Sequence, residues 1–310
     1  MNRTRTSRTG VAQAFVKLTA AVIALGWLGS ASAQWPIVED PNAPRDADGN
    51  VLMDAPPPTM PDGTPDLSGM WMRTNSGPPP AQDGPAGGVS LEPDQEPVPL
   101  DEDAPPIAAF FEAGQNMEGG LPYTPWAKEL RDERADLNAR DNPDANCMPM
   151  GFLQFHQQPQ PRMIVQNEKM ILIIYEANYG IRTIFLDGRE LPPQGEPQPW
   201  WYGYSVGRWD DGDLVVTTNN LRGAEDGPFD GWLDVNGSPH TRGAVITERF
   251  RRPTYGHLQI DFTIEDPAAY TRPWTVRVDQ RLLPDQELIE FICNENQQFG
   301  RRIGLNEETE

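Results

Sequence analysis

From Arg162 to Ile292 the chain alternates apolar and polar residues with a period of two, in short runs broken by turn residues. The runs are Arg162–Asn167, Met170–Glu176, Ile181–Leu186, Tyr202–Trp209, Leu214–Asn219, Ala244–Arg252, His257–Ile264 and Trp274–Leu283. Successive side chains on a strand point to opposite faces, so each run predicts a strand with one apolar face. Leu258, Ile260, Phe262 and Ile264 share a face, and Trp274, Val276, Val278 and Leu282 share another. Met170–Glu176 is apolar on both faces, so the N-terminal segments or a helix should cover its outside. Asp210-Asp211-Gly212 predicts a tight hairpin, because glycine accepts the positive φ that such turns need. Gln166–Lys169 and Arg252–Gly256 join two further pairs. The pattern predicts an all-β fold, an antiparallel meander barrel of about eight to ten strands. An orthogonal sandwich is the alternative.

The helical signal is confined to Thr124–Arg140. Thr124 is placed to cap the first turn, and Pro125 suits the first helical position because its missing N–H would be unpaired there. Trp126, Leu130 and Leu137 offer a thin apolar stripe, which predicts one helix docked by an edge. Residues 34–106 form a Pro-, Gly- and acid-rich arm with a short strand near 67–74. Its first part, 34–65, lacks apolar periodicity and is expected to be extended or disordered. The barrel domain is then 107–300, and 301–310 is an acidic tail. A long excursion, Leu221–Gly243, interrupts the strands; its Trp232 predicts an ordered flap.

Arg3, Arg5, Arg8 and Lys17, an apolar run from Leu18 to Leu28, and Ala31-Ser32-Ala33 make residues 1–33 a signal peptide. The run is short of the roughly 20 residues that span a bilayer, so cleavage is expected, with no membrane insertion afterwards. A periplasmic or extracellular location follows. Losing the four basic residues and no acidic one takes the formal charge from −21 to −25. Such a surface repels nucleic acid. In an oxidising compartment the two cysteines, Cys147 and Cys293, are expected to form a disulfide.

Glu248 is the most pointed candidate for chemistry. It shares a strand face with Ala244, Ile246 and Phe250, and an isolated buried charge is costly. Glu176 stands similarly beside apolar residues. Two carboxylates in one cavity, with His240 from the flap as a general base, predict acid–base catalysis. The other reading of Glu248 is an internal ion pair, to Arg182, Arg208 or Arg249. His156, just before the first long strand run, suits a capping or turn role, and His257 begins a polar face. No close His pair stands at ligand spacing, so neither a metal nor a cofactor is expected. Trp200, Trp201, Tyr202, Tyr204 and Trp209 cluster on one strand and the residues leading into it. Trp201, Tyr202, Tyr204, Trp209, Trp232 and Trp274, with Arg208, are the expected ligand-binding set, suited to stacking on a small molecule.

Pro65-Asp66-Leu67-Ser68-Gly69-Met70-Trp71 resembles the opening of a large family of secreted, mostly uncharacterised bacterial proteins. The likeness continues through Ser205–Trp209, Thr247–Arg252, Thr263–Pro267, Pro273–Val276 and Cys293–Asn296. It implies export and brings no activity with it. Gly69-Met70-Trp71 also resembles the Gly-x-Trp of lipocalin first strands, which agrees with a lipocalin-like barrel. The leading functional expectation is a periplasmic protein that binds a small, partly apolar molecule in its barrel. Alternatives are an acid–base enzyme, whether hydrolase, lyase or isomerase, using Glu248, Glu176 and His240, and an envelope interaction module.

Overall fold

Nine strands close into one barrel in chain order. They are β1 (Gly69–Arg73), β2 (Arg162–Gln166), β3 (Met170–Tyr175), β4 (Ile181–Phe185), β5 (Tyr204–Asp210), β6 (Asp213–Asn219), β7 (Val245–Thr254), β8 (His257–Glu265) and β9 (Trp274–Leu282). The computed structural model describes residues 38–74, 103–177, 180–195 and 198–293. The expected leader and acidic tail lie outside them, as does most of the arm after Thr74. Every strand expected after residue 161 is present within two residues of its expected limits. The short strand assigned to the arm is instead a full stave of the barrel. β1 pairs with β2 and with β9, so Trp71 stands beside Arg162 on one side and Leu282 on the other.

One junction corrects the pure antiparallel meander. β4 and β5 run parallel, with Ile184 beside Ser205 and Phe185 beside Val206. A two-residue turn joins only antiparallel strands. Here the connection 186–203 is long enough to return the chain to the end of the barrel where β4 began.

The base of the barrel carries the β2–β3, β5–β6 and β7–β8 hairpins. The first part of the arm, expected to be extended or disordered, is folded against it. Asp46 accepts the N–H groups of Asp48 and Asn50, Asp62 accepts that of Thr64, and Gly49 and Gly63 take positive φ. These turns fold the arm back on itself, and the Tyr255 and Gly256 N–H groups donate to Ala55 and Met53 O at 2.7 and 2.8 Å. Ala43, Val51, Met53 and Ala55 thereby pack on the base cluster around Trp71, Ile171, Phe250 and Leu258. Sparse apolar residues suffice because the hairpins supply the other half of the contact.

At the upper end lie two helices and the flap. Helix α1 (Pro125–Asp136) begins as expected, with Thr124 Oγ1 accepting the Ala127 N–H at 3.3 Å. It stops short of Arg140 because Asn138 and Ala139 adopt positive φ. Its docked edge is not the expected stripe: Trp126 and Leu137 are exposed, and Ala127 and Arg134 are buried. Arg134 donates to the carbonyls of Gly231, Gly237 and Asp230 in the flap and stacks over Trp232 at 4.3 Å. A second helix, α2 (Phe152–Gln157), was not expected; all six of its residues are buried.

Candidate functional site

Helix α2 plugs the upper end of the barrel. Gly151 precedes it, and a Cβ there would stand 2.5 Å from Trp232 O. Glycine therefore lets the plug meet the flap, where the Phe152 and Gln154 N–H groups donate to Trp232 and Leu233 O. Phe152 and Leu153 join the upper apolar cluster with Leu233, Ile246, Phe262 and Trp274; Phe155 joins the lower one. The helix thus spans the seam between two apolar halves and carries His156 and Gln157 into it.

At that seam the strands supply a polar layer. Arg162, Tyr175, Arg182, Ser205, Thr218 and Glu248 fall on the buried positions of β2 to β7. Glu248 is fully buried and binds Arg182 through both oxygens: Oε1 accepts from Nη1 at 2.8 Å, and Oε2 accepts from Nη2. Arg182 also donates from Nε to Ser205 Oγ at 3.2 Å and from Nη2 to Thr218 Oγ1 at 3.1 Å, and it lies over the Phe152 ring. Burial alone would push the Glu248 carboxyl up; the Arg182 guanidinium and the His156 hydrogen bond outweigh it and hold the carboxyl at about 2. Burial lowers His156, more than Glu248 raises it, so the imidazole is neutral. Its Nε2–H then donates to Glu248 Oε1 at 2.9 Å, and Nδ1 is left as the basic nitrogen.

That Nδ1 has no hydrogen-bond partner among the described residues, and it is not isolated in this. Both side-chain polar atoms of Gln157, Nε and Nη1 of Arg162, Oε1 of Gln280 and the Tyr202 hydroxyl are also buried and unpartnered there. Their residues lie on α2 or contact it. Gln280 Nε2 donates to His156 O at 3.4 Å, and Arg162 Nη2 donates to Gln158 O at 3.1 Å. Tyr175 lies 5.8 Å from the Arg162 guanidinium and stacks on Phe155 at 4.1 Å; Tyr202 meets Phe155 edge-on at 4.5 Å. Burial pulls Arg162 down only to about 10, so it stays a cation at neutral pH. More than nine in ten buried polar groups in folded proteins are paired. Exceptions of this kind call for a physical account: ordered water, an ion, or a role in chemistry or binding.

No protein-family model matches the chain, and no curated protein or solved structure is significantly similar to it. The geometry alone carries the reading.

Of the expected catalytic set, only Glu248 lies in this layer, and of its three expected arginine partners it pairs with Arg182, with His156 as a second partner. Glu176 follows Tyr175 and so falls on the opposite side of the barrel wall, where its Oε2 accepts the Ile289 N–H at 3.2 Å. His240 is buried in the flap and bonds Thr241 O through Nδ1 at 3.2 Å. The three do not meet. The expected aromatic set is likewise divided. Tyr202 borders the polar layer, whereas Tyr204 packs on Phe185 and Trp200 and accepts from Arg189. Trp201 lies beneath Arg222, and Trp232 is fixed in the flap by its donation to Pro228 O. Trp209 packs on the lower cluster, Trp274 on Phe262 and Tyr270, and Arg208 is exposed. His156, Gln157 and Arg162 were missed as site residues. Arg162 was legible in principle, since it is in phase with inward-facing Ile164, as Arg182 is with Ile184. Nothing local marks His156, because its helix is too short for a periodic signal.

Proposed function

We propose that this is an exported protein whose barrel holds a small, partly apolar molecule at its upper end, beside the last turn of α2. One observation carries the reading: His156 Nδ1, the Gln157 amide, Arg162 Nε and Nη1 and Gln280 Oε1, all on α2 or on side chains bonded to its last turn, are buried and unpartnered among the described residues, and Phe155 of the same helix packs on Tyr175 and Tyr202. Each such group costs about 1–3 kcal/mol when it lacks a partner. An interior serving stability alone does as well or better with apolar residues of similar volume. Ligand sites, in contrast, combine an apolar wall with a few converging polar groups. The Cys147–Cys293 disulfide supports an oxidising compartment.

The test is native mass spectrometry of protein purified from its own host. A small molecule released only on denaturation is expected. Gln157→Leu removes two of the unpartnered atoms at similar volume; it should leave the fold as stable or more so and abolish retention. A wild-type protein that carries nothing, together with a Gln157→Leu variant of lowered stability, would overturn the reading.

The His156–Glu248 pair supports a second reading, an acid–base enzyme acting on the same molecule. An ionised carboxylate on Nε2–H orients the ring and leaves Nδ1 as a general base. Loss of turnover of the retained molecule in His156→Gln, with retention intact, would favour catalysis over binding alone.

A further inference from the structure

Charges at the upper end of the barrel interior do not balance. Arg182 and Glu248 cancel. Among the described residues Arg162, 1 % exposed, makes a single hydrogen bond, to a backbone carbonyl, and Nε and Nη1 have no partner. No ion pair among the described residues includes it. Among the described residues the charged side chain acting on it is another cation, Arg73, on the neighbouring strand β1 beside Gln280. Arg73 lies 5.8 Å from the Phe110 ring and also forms no ion pair among the described residues. A buried charge without a counter-ion costs several kcal/mol, and a folded protein retains one where a counter-charge binds. Around this cation the remaining groups are neutral: the Gln157 amide, the Gln280 carbonyl oxygen, neutral His156, and the Tyr175 ring. A guanidinium with two open N–H nitrogens selects an oxyanion. The Phe155–Tyr175 stack beside it suits an apolar or aromatic body.

We propose that the molecule held here is an organic anion whose carboxylate or phosphate oxygens rest on the Arg162 guanidinium. This deepens the ligand-binding reading above and depends on it; what it adds is the charge and the anchoring residue. The experiment is calorimetric titration of the full chain, stripped of retained ligand by unfolding and refolding, with benzoate, phenyl phosphate and benzamide. The three probes share a ring and differ in charge. Benzoate or phenyl phosphate should bind, the better of the two naming the oxyanion, and benzamide should bind at least about tenfold more weakly. Arg162→Met should remove that preference and bind the anion no better than benzamide, while melting at or above the wild-type temperature, since it deletes an unpaired buried cation. Arg162→Lys, which keeps the charge, is the second variant should Arg162→Met not fold, and it should retain part of the preference. Benzamide binding as well as the anions, or Arg162→Met keeping full anion affinity, overturns the assignment while leaving a binding barrel in place. Failure of all three probes, with nothing retained by protein from the host, removes the binding reading as well.

Discussion

His156 and Glu248 lie where two apolar clusters meet, and burial and their shared hydrogen bond pull on the protonation state of each. The carboxylate stays ionised because Arg182 and the imidazole N–H face it; the imidazole stays neutral because burial outweighs the carboxylate beside it. His240 is likewise held below its ordinary value of 6.5 by burial. Both histidines therefore bind protons more readily in the unfolded chain. Where the unfolded state binds more protons, stability rises with pH, so the contribution of these neutral rings is complete above 6.5 and is lost as pH falls below it. Each ring should add a slope of up to about 1.4 kcal/mol per pH unit. Urea midpoints measured between pH 7 and pH 5 should carry this loss, and His156→Gln should make the pH dependence shallower by up to about 1.4 kcal/mol per pH unit. An unchanged slope in that variant would mean that His156 is not buried neutral. Glu248 was legible in the sequence because Ile246 and Phe250 flank it in phase. Its choice of Arg182 over Arg208 or Arg249 was not, because that depends on which strand lies across the barrel. Arg208 is exposed, and Arg249 points outward to Asp210 and Asp213.

Helix α1 shows how an element docks against its own apolar stripe. Trp126 and Leu137 stay in solvent because the flap presents carbonyl oxygens rather than an apolar groove, and Arg134 meets three of them. Arg134→Ala removes the side-chain donor from the Asp230 and Gly237 carbonyls, while Gly231 O keeps the His240 N–H at 3.0 Å, and it removes the stack on Trp232. Loss of about 2–4 kcal/mol is expected, with faster hydrogen exchange confined to residues 125–136 and 230–237. Uniform acceleration across the barrel strands would show instead that docking of α1 is part of the global fold. Helix α2 is the converse case. Its six residues form less than two turns, too few for helical propensity to hold alone. It is helical because the barrel mouth buries every side chain and the flap satisfies two of its opening N–H groups.

In the whole molecule the Cys147–Cys293 disulfide, across 146 residues, joins the segment before α2 to the segment after β9. A loop of this length is worth up to about 5 kcal/mol in the chain-entropy account. Replacing both cysteines by serine should lower the melting temperature in oxidising buffer to that of the reduced wild type. Reducing agent should then have no further effect on the variant. A variant as stable as the oxidised wild type would show that the bond carries no stabilisation. The same segment shapes the outside of the barrel, since Ile289 caps Glu176 at the end of β3.

The strand pattern, the hairpins, the start of α1 and the cysteine pairing were all readable in the chain because each rests on local rules: alternation, positive φ, a capping hydroxyl, an even cysteine count. Tertiary structure alone decided that Gly69–Arg73 closes the barrel, that the arm folds onto the base, and that β4 and β5 run parallel. It alone brought His156, Gln157, Arg162 and Gln280 together from a short helix and two strands far apart in sequence. Alternation tells which side of a strand a residue occupies. Which residues meet across the interior is set by barrel closure and by the segment that fills its mouth, and neither leaves a periodic mark in the chain.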